Sequence, residues 1–349
     1  MYQQIIVSLL LLITMAGTFG LTDSCAHSRR LASLVDSWDI RRFVENREHM
    51  ANRGMFLEFE DRLILDEIPH ADYARGGVYF FGSSPMKWGL ATWALPPELR
   101  RLIGNYGIGA SSHELQYAFI RHLVEHENFL KAGGDKTHVM LGLYWSMGQN
   151  WKSDSYFKPL WERHGLYTYS DANGIQRVVA SPLLIALRYE RARCMGFIGS
   201  NINRLAHAAV TALGIPLTDT EKIQDTERVR RWASRLSDDG EWRVGLDRQM
   251  TALQRLIDYL HQRKVGVTVV LLPERTPFKV LPEPMAYQQA VRDLCEQRAI
   301  PLVDLSHLLA EDEFWDINHS NYEGLMKTHA ALMSLATDRL ANMGVYKGN

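Results

Sequence analysis

Short apolar strands that alternate with longer helical segments constrain the fold of this chain more than any other feature of its sequence. The clearest strand is predicted at Val265–Leu272, where β-branched and leucine residues run up to a proline. Further strands are predicted at 76–81, 139–144 and 301–305. Strands that are separated by helices form a parallel sheet with helices on both faces. The sequence therefore predicts an α/β fold whose functional residues gather beyond the carboxyl ends of the strands.

Most of the remaining chain is predicted to be helical. The helical segments are predicted at 31–65, 113–131, 182–213, 218–236, 245–264, 286–297 and 322–343. Two stretches are predicted to be irregular. Residues 105–112 form a glycine-rich bend, and residues 144–174 are aromatic and polar without a clean period. The second stretch is typical of a loop over a site or a partner surface.

The composition is that of an ordinary globular protein. With 349 residues, 46% of them apolar, the chain can bury a full core in one large domain or two smaller ones. Its 39 Lys and Arg residues balance 40 Asp and Glu residues to a net charge of -1. No global positive field therefore attracts nucleic acid or an anionic membrane surface. Cys25, Cys194 and Cys295 match neither a disulfide framework nor a zinc ribbon, although one pair is possible.

The N-terminus carries an uncharged apolar run from Ile5 to Leu21. A membrane span takes about 17 to 25 residues, and the apolar core of a signal peptide takes roughly 7 to 15. We expect a retained membrane anchor rather than a cleaved signal peptide, although residues 18–20 could serve as a cleavage site and would leave the protein secreted. By the positive-inside rule alone, Arg29 and Arg30 would keep the body of the protein cytoplasmic.

Three residues far apart in the chain supply the groups that acyl-transfer chemistry needs. Ser84 follows the first predicted strand in a Gly-Ser-Ser-Pro turn, and Asp316 and His319 lie three residues apart near the C-terminus. A serine hydroxyl is a weak nucleophile until an adjacent base takes its proton, and a carboxylate orients that base. Ser84 before Pro85 is also typical of a helix N-cap and first turn. The two interpretations are compatible, because the amides of a helix start favour a nucleophile there.

Three motifs occur in the order and spacing of a known superfamily: Phe81–Ser84, Asn105–Ala110 and Asp316–His319. Through these motifs, over about residues 75–340, the chain resembles the SGNH (GDSL-like) hydrolases. The resemblance implies a flavodoxin-type three-layer sandwich with a parallel central sheet. The implied layout is a membrane anchor or signal segment at 1–24, a helical lead-in at 25–74, and a catalytic domain at 75–345 with a helical insertion at about 182–264.

Within that superfamily the chain is similar to the extracytoplasmic O-acyltransferase branch, through its apolar start, its Gly-Ser-Ser variant and its long insertion. That branch includes alginate and cellulose O-acetylation proteins and the D-alanyl transfer protein of lipoteichoic acid synthesis. The resemblance implies a membrane-anchored protein, outside the cytoplasm, that transfers an acyl group to an exported polysaccharide or envelope polymer. A membrane-bound O-acyltransferase partner would supply the acyl group. A carbohydrate or lipid esterase of the SGNH type is the alternative, because the sequence does not separate water from a sugar hydroxyl as acceptor.

The resemblance also implies roles for individual residues. Ser84 would be the nucleophile, His319 its general base, and Asp316 the carboxylate that orients the imidazole. The oxyanion hole would use the backbone N–H of Ala110 or of Gly109. No metal or organic cofactor is expected, because nucleophilic attack and proton transfer require none.

The chain departs from the superfamily pattern at two motifs. Ser83 stands where an Asp usually precedes the nucleophile, a change that the acyltransferase branch tolerates. The third motif, Gly-x-Asn-Asp, is absent after the strand at 139–144, and Asn150 is a late substitute for its asparagine. One oxyanion donor is therefore unassigned, and we expect Trp145 and Asn150 to contact substrate.

Two hypotheses from other classes compete with the acyl-serine enzyme. His122, Glu125 and His126 match the H-x-x-E-H pattern of inverted zinc peptidases, in which both histidines share one helix face. A solvated helix face explains the same pattern. The aromatic stretch that includes Trp145 and Trp151 could instead bind a glycan or dock a membrane partner, or simply pack the core.

Overall fold

The computed structural model describes residues 73–91, 95–96, 98–109, 111–148, 167–170, 174–177, 242–314 and 318–346. The chain divides into two compact units, one of Met1–Met55 and Phe157–Thr220, and one of Phe56–Tyr156 and Glu221–Asn349. The described part of the first unit is an antiparallel hairpin of β4 (Tyr167–Ser170) and β5 (Gly174–Arg177). Everything else that is described belongs to the second unit.

The second unit alternates strands and helices, as the sequence predicts. Its strands are β1 (Gly77–Gly82), β2 (Ile103–Gly107), β3 (Thr137–Leu143), β6 (Gly266–Leu271) and β7 (Leu302–Asp304). Its α-helices are α1 (Ser84–Gly89), α2 (His113–His126), α3 (Trp242–His261), α4 (Thr276–Lys279), α5 (Pro282–Gln297) and α6 (Tyr322–Asn342). Short 3-10 helices lie at Tyr73–Arg75, Gly134–Lys136, Trp145–Gly148 and Glu311–Glu313.

The five strands form one parallel sheet in the order β2-β1-β3-β6-β7. Counted within this sheet alone, the order is 2-1-3-4-5, which is the flavodoxin-type arrangement. The prediction of an α/β fold with a parallel central sheet is therefore confirmed. In such a sheet the chain leaves β1 and β3 in opposite directions, and the crevice beyond their carboxyl ends is where ligands bind.

The two faces of the sheet are covered by different helices. On one face α1 and α6 join a cluster of buried aliphatic residues that includes Val78, Met140, Val270 and Leu332. We call this the α1/α6 face. On the opposite face α2 packs on rings from β1 and β2, with α3 beside α2 and α5 beside α3. This second face is the aromatic face, and its rings are those of Tyr73, Tyr79, Phe81, Tyr106, Phe119 and Phe129.

Three segments differ from the sequence prediction. Residues 105–107, predicted as part of a bend, are the end of β2, because Gly107 serves close packing against α1 rather than a turn. The hairpin β4–β5 lies in the stretch predicted to be irregular, where Tyr167, Thr168 and Tyr169 are strand-forming residues. The helix predicted at 113–131 ends earlier, since Asn128 has a positive φ of 56° just beyond it.

Several predictions fall outside the described residues: the apolar run at 5–21, the helices at 31–65, 182–213 and 218–236, and Cys25 and Cys194. Among the helices that the structure describes, none is both long and apolar enough to cross a membrane. Cys295 is buried in α5 with a free thiol. The end of the predicted insertion at about 182–264 contains α3, which packs with α2 and α5.

Candidate active site

Ser84 is the first residue of α1, directly beyond the carboxyl end of β1. Ser83 is the extended N-cap residue, and Pro85 follows at the start of the helix, where its missing N–H costs nothing. The amides of Met86 and Lys87 both donate to the Ser83 carbonyl, at 3.0 and 3.1 Å. The turn predicted from the Gly-Ser-Ser-Pro sequence is therefore present, and it leaves Ser84 9% exposed at the edge of the sheet.

Three glycines place α1 directly on the sheet. Gly107, Gly82 and Gly142 occupy one register row across β2, β1 and β3. A Cβ on Gly107 would lie 2.6 Å from the backbone nitrogen of Lys87, and one on Gly82 would lie 2.7 Å from Met86 Cβ. Any side chain in this row would lift the helix away, so the glycines determine how deeply the serine lies.

Asn105 of β2 holds the far end of α1. Its side-chain amide nitrogen donates to the carbonyls of Lys87 (3.0 Å) and Leu90 (3.1 Å), and its oxygen accepts from the Gly107 amide (3.1 Å). The last carbonyls of a helix have no partner within the helix, so this asparagine serves as its C-terminal cap. A six-residue helix is thus held at both ends.

The loop that follows β2 is tied to the turn before the serine. Ile108 N donates to the Gly82 carbonyl at 2.9 Å, and Ser111 Oγ and Gln116 Nε2 donate to the same oxygen. Gly109, one of the two predicted oxyanion donors, lies in this loop next to β1. Ala110, the other, lies outside the described residues.

His319 lies in a short loop whose two ends are joined. Phe314 and Ser320 pair as an antiparallel bridge, so the loop between them is closed at its base. Asn321 caps α6 by accepting from the Gly324 amide (3.0 Å) and donates to the Asp312 carbonyl (2.7 Å). His319 is partly buried, with Nε2 shielded from solvent. Asp316 lies in the same loop but outside the described residues.

An ion pair between a buried arginine and a partly exposed glutamate anchors the segment that leads into this loop. Arg275, 7% exposed after β6, donates from Nε to Glu311 at 2.9 Å, and Glu311 also accepts from the Thr276 amide at 2.5 Å. The carboxylate therefore joins α4 to the 3-10 helix at Glu311–Glu313. Although burial raises the pKa of Glu311, these hydrogen bonds hold it below its usual value. The 3-10 helix that leads toward His319 is therefore held in place by the bonds of Glu311 to Arg275 and Thr276.

Ser84 and His319 lie at or just before the starts of two helices, α1 and α6, that pack together. A Cβ on Gly89 of α1 would lie 3.1 Å from Thr328 of α6, so the two helices touch. Ala91 N donates to His329 Nδ1 at 3.2 Å, beside the same contact. Ser84 begins α1, and His319 comes three residues before α6 begins. The structure therefore places Ser84 at the carboxyl edge of β1, and places His319 three residues before a helix that packs on α1.

The Trp145 side chain is buried rather than exposed on the surface. Trp145 follows β3 in a 3-10 helix, is 2% exposed, and its ring lies 5.5 Å from Phe278 and 5.8 Å from Tyr144. Its indole N–H has no hydrogen-bond partner among the described residues. In this conformation the ring packs the core, which is the simpler of the two interpretations of the aromatic stretch. Asn150 and Trp151 lie outside the described residues.

Sequence reasoning missed a second polar group at the carboxyl edge. Glu274, which follows β6 after Leu272 and Pro273, is 2% exposed and accepts from Gln288 Nε2 at 2.6 Å. Burial raises its pKa to about 7, against the opposing effects of Gln288 and Lys279. His113 is fully buried at the start of α2, shares a 2.9 Å hydrogen bond with Tyr287, and burial lowers its pKa to about 3. A charged residue shortly after a strand, as in Pro-Glu-Arg here, was the available signal.

The histidines of the H-x-x-E-H pattern are engaged in helix packing. His122 is 5% exposed, with Nε2 3.3 Å from Glu127. Glu125 accepts from Arg121 at 2.8 Å and from the Tyr259 hydroxyl at 3.4 Å. Within the part of the chain that the structure describes, no three His, Cys, Asp or Glu side chains are grouped to hold a metal ion.

The solved structures that resemble this chain include two distant likenesses. No protein-family model matches the chain, and no curated protein matches it. A proposed acylhydrolase from Bacteroides fragilis is similar with a TM-score of 0.37 at 12% identity, over 75% of this chain and 87% of its own. A GDSL-like lipase from Bacteroides thetaiotaomicron is similar with a TM-score of 0.40 at 11% identity, over 80% and 98%. Neither likeness is close enough to carry an assignment of function, which therefore depends on the site.

Proposed function

We propose that this protein is a serine-dependent acyl-transfer enzyme, an esterase or an acyltransferase of the SGNH type. The observation that carries the proposal is that Ser84 begins α1 and that His319 shortly precedes α6, which packs on α1. Ser84 also lies directly beyond the carboxyl end of β1. This is where open parallel sheets gather reactive groups.

The proposed reaction runs through an acyl-serine. Ser84 Oγ attacks the acyl carbonyl while His319 takes its proton, and Asp316 orients and stabilises the imidazolium. The amide of Gly109 or Ala110 supports the negative oxygen of the tetrahedral intermediate. Collapse breaks the bond to the leaving oxygen, which takes the proton from His319. An acceptor hydroxyl, which gives its proton to His319, then attacks the carbonyl of the acyl-serine. The acyl group forms its new ester bond to the acceptor, the bond to Ser84 Oγ breaks, and His319 returns the proton to Ser84.

For the acceptor, we propose a hydroxyl of an exported polysaccharide or envelope polymer, with O-acetyl as the transferred group. Support comes from the sequence: the apolar run at 5–21 fits a membrane anchor, and the motifs resemble the extracytoplasmic acyltransferase branch. On this proposal the catalytic unit lies outside the cytoplasm and receives its acyl group from a membrane-bound O-acyltransferase. Water as the acceptor would make the same site an esterase.

Intact-mass spectrometry after exposure to p-nitrophenyl acetate tests the nucleophile. We expect one acetyl adduct on Ser84, lost in Ser84→Ala together with at least about 10³-fold of the esterase rate. Ser83→Ala is the matched control, because Ser83 is the adjacent buried serine and its hydroxyl has no hydrogen-bond partner among the described residues. An adduct that survives Ser84→Ala in folded protein would refute the assignment.

The acceptor is tested on the isolated acetyl-enzyme. Incubation with acetyl-free polysaccharide oligomers should transfer acetyl to the sugar, read by mass, faster than the adduct decays in buffer alone. Decay at the same rate with and without oligomers, and with no acetylated sugar, would assign water as the acceptor. The protein would then be an esterase.

A further inference from the structure

One backbone oxygen next to the proposed nucleophile receives more hydrogen bonds than the sheet requires. The Gly82 carbonyl accepts from Ile108 N at 2.9 Å, which continues the pairing of β1 with β2. It also accepts from Ser111 Oγ at 3.0 Å and from Gln116 Nε2 at 2.9 Å. We call Ser111 and Gln116 the Gly82 clamp. Pairing with β2 uses only the bond from Ile108, so the two side-chain bonds are additional to what the strand needs.

The direction of every proton in the clamp is determined. A carbonyl oxygen can only accept, so Ser111 and Gln116 must both donate to Gly82. Ser111 spends its single proton there and therefore accepts the bond from Gln116 Nε2, at 2.6 Å. The amide nitrogen of Gln116 must consequently face the turn, and its oxygen must face away. Only one arrangement of the protons makes all three side-chain hydrogen bonds.

Fold stability alone does not explain a glutamine at this position. Gln116 is 1% exposed, and its Oε1 has no hydrogen-bond partner among the residues that the structure describes. Burying an acceptor without a donor opposes folding, whereas an apolar side chain of the same length would avoid that cost. Places where a chain keeps a locally unfavourable group are often functional.

The clamp joins the two segments whose relative position acyl transfer depends on. Gly82 lies two residues before Ser84, and Ser111 ends the loop that carries Gly109 and Ala110. Resting on the proposed function, we infer that Ser111 and Gln116 are positioning residues that hold the Ser84 nucleophile in register with the oxyanion donors. Neither residue touches the reacting atoms on this inference, and both act through the Gly82 peptide.

The test measures turnover separately from binding in the full-length protein, with p-nitrophenyl acetate as substrate. Gln116→Met keeps the length of the side chain and removes the donor. Since misplacing reacting groups by about 1 Å costs up to roughly 10²-fold, we expect kcat to fall about 10- to 100-fold. KM should stay within about two-fold, because the lost alignment matters in the transition state. Adding Ser111→Ala should lower kcat by less than the product of the two single effects, since both residues share one acceptor.

Gln249→Met is the matched control. Gln249 is also 1% exposed, and it too bonds to α2: it accepts from the Glu114 amide at 3.2 Å and donates to the Glu114 carboxylate at 3.3 Å. It makes no bond to Gly82. We expect Gln249→Met to lower Tm at least as much as Gln116→Met while kcat stays at the wild-type value. Assays run well below both Tm values remove unfolding as a cause.

Each outcome decides a different question. If Gln116→Met and Gln249→Met share the wild-type kcat while wild-type protein forms its acetyl adduct on Ser84, the positioning role is refuted and the proposed function stands. If wild-type protein forms no adduct on Ser84, the proposed function fails, and a catalytic role for the clamp fails with it.

Discussion

The two faces of the sheet are built on opposite principles. On the aromatic face, six rings fill the space between strands and α2, with centroids 4.8 to 6.4 Å apart. On the α1/α6 face at the carboxyl edge, three glycines remove side chains altogether so that α1 rests on backbone. The large rings on the aromatic face supply buried apolar surface. The absence of side chains in the glycine row on the other face determines the position of Ser84.

Because of this difference, one face mainly contributes to the stability of the fold and the other mainly determines the position of α1. Rings that pack edge to face tolerate small shifts, because each has several neighbours of the same kind. A helix in contact with backbone has no such freedom, since a single methyl group meets an amide or a carbonyl. The faces meet at the Gly82 carbonyl, where Gln116 from the aromatic side bonds to the turn that starts α1. Substitutions on the two faces should therefore have different consequences.

The largest effect is expected on the aromatic face. Phe119 is fully buried, with its ring 5.9 Å from that of Phe81. Phe119→Ala should lower the free energy of unfolding by about 4 kcal/mol, measured by urea denaturation. The rate at which the remaining folded protein acetylates Ser84 should stay within about three-fold of wild type, since α1 does not rest on this ring. A larger loss of rate would mean that the faces are coupled.

Acid should destabilise both faces by a similar amount. Burial lowers the pKa of His113, beside the aromatic face, to about 3, and lowers that of His138, on the α1/α6 face near Arg339, to about 4. Each folded pKa lies below the ordinary histidine value of 6.5. The unfolded chain therefore takes up protons first, so stability is full above pH 6.5 and is lost as the pH falls toward 4. The expected loss is about 3 kcal/mol for each histidine.

Urea denaturation at pH 7, 5.5 and 4.5 measures this dependence. His113→Gln and His138→Gln should each reduce the slope of stability against pH by about 1.4 kcal/mol per unit between pH 6.5 and 4. An unchanged slope in His138→Gln would mean that this histidine is charged in the folded protein.

The smallest effect in free energy, and the most specific to the site, is expected within β2. Gly107 faces α1, and a Cβ there would lie 2.6 Å from Lys87 N. Gly104 faces the rings, and a Cβ there would lie 2.9 Å from Tyr79 Cδ1. We expect Gly107→Ala to slow acetylation of Ser84 about 100-fold, or ~2.7 kcal/mol, by displacing α1. Gly104→Ala should slow it less than about three-fold, because a ring can move where backbone cannot. Equal effects on the rate would remove the distinction between the faces.

Local patterns were sufficient to predict most of the sheet. β1, β3, β6 and β7 lie within two residues of their predicted bounds, since buried strands are continuous apolar runs that end at glycine, proline or polar residues. β2 was misassigned at 105–107 for the opposite reason. In the sequence, its glycines and Asn105 are typical of a turn. Their structural role is seen only in the folded protein, where α1 packs across them.

The candidate site divides in the same way. Ser84 and His319 could be selected from the sequence because a Ser-Pro turn after a strand and an Asp-x-x-His segment are local motifs. Trp145 could not be judged, because whether a tryptophan packs or contacts a ligand depends on neighbours such as Phe278, 133 positions further along the chain (278 − 145). His113 and Gln116 carried no motif at all, and the only signal for Glu274 was a charge that follows a strand. Burial gives all three residues their properties.

The sequence by itself determined the alternation of strands and helices, the turn at Ser84 and the residue types for acyl transfer, because neighbours along the chain encode each of these. Only the tertiary structure decided the sheet order, the glycine row and the Gly82 clamp. Gly82, Gly107 and Gly142 become one surface only when three strands align in register, and Gln116 reaches Gly82 only across that alignment. Contacts between residues tens of positions apart leave no periodic trace in sequence, since they depend on where the chain returns.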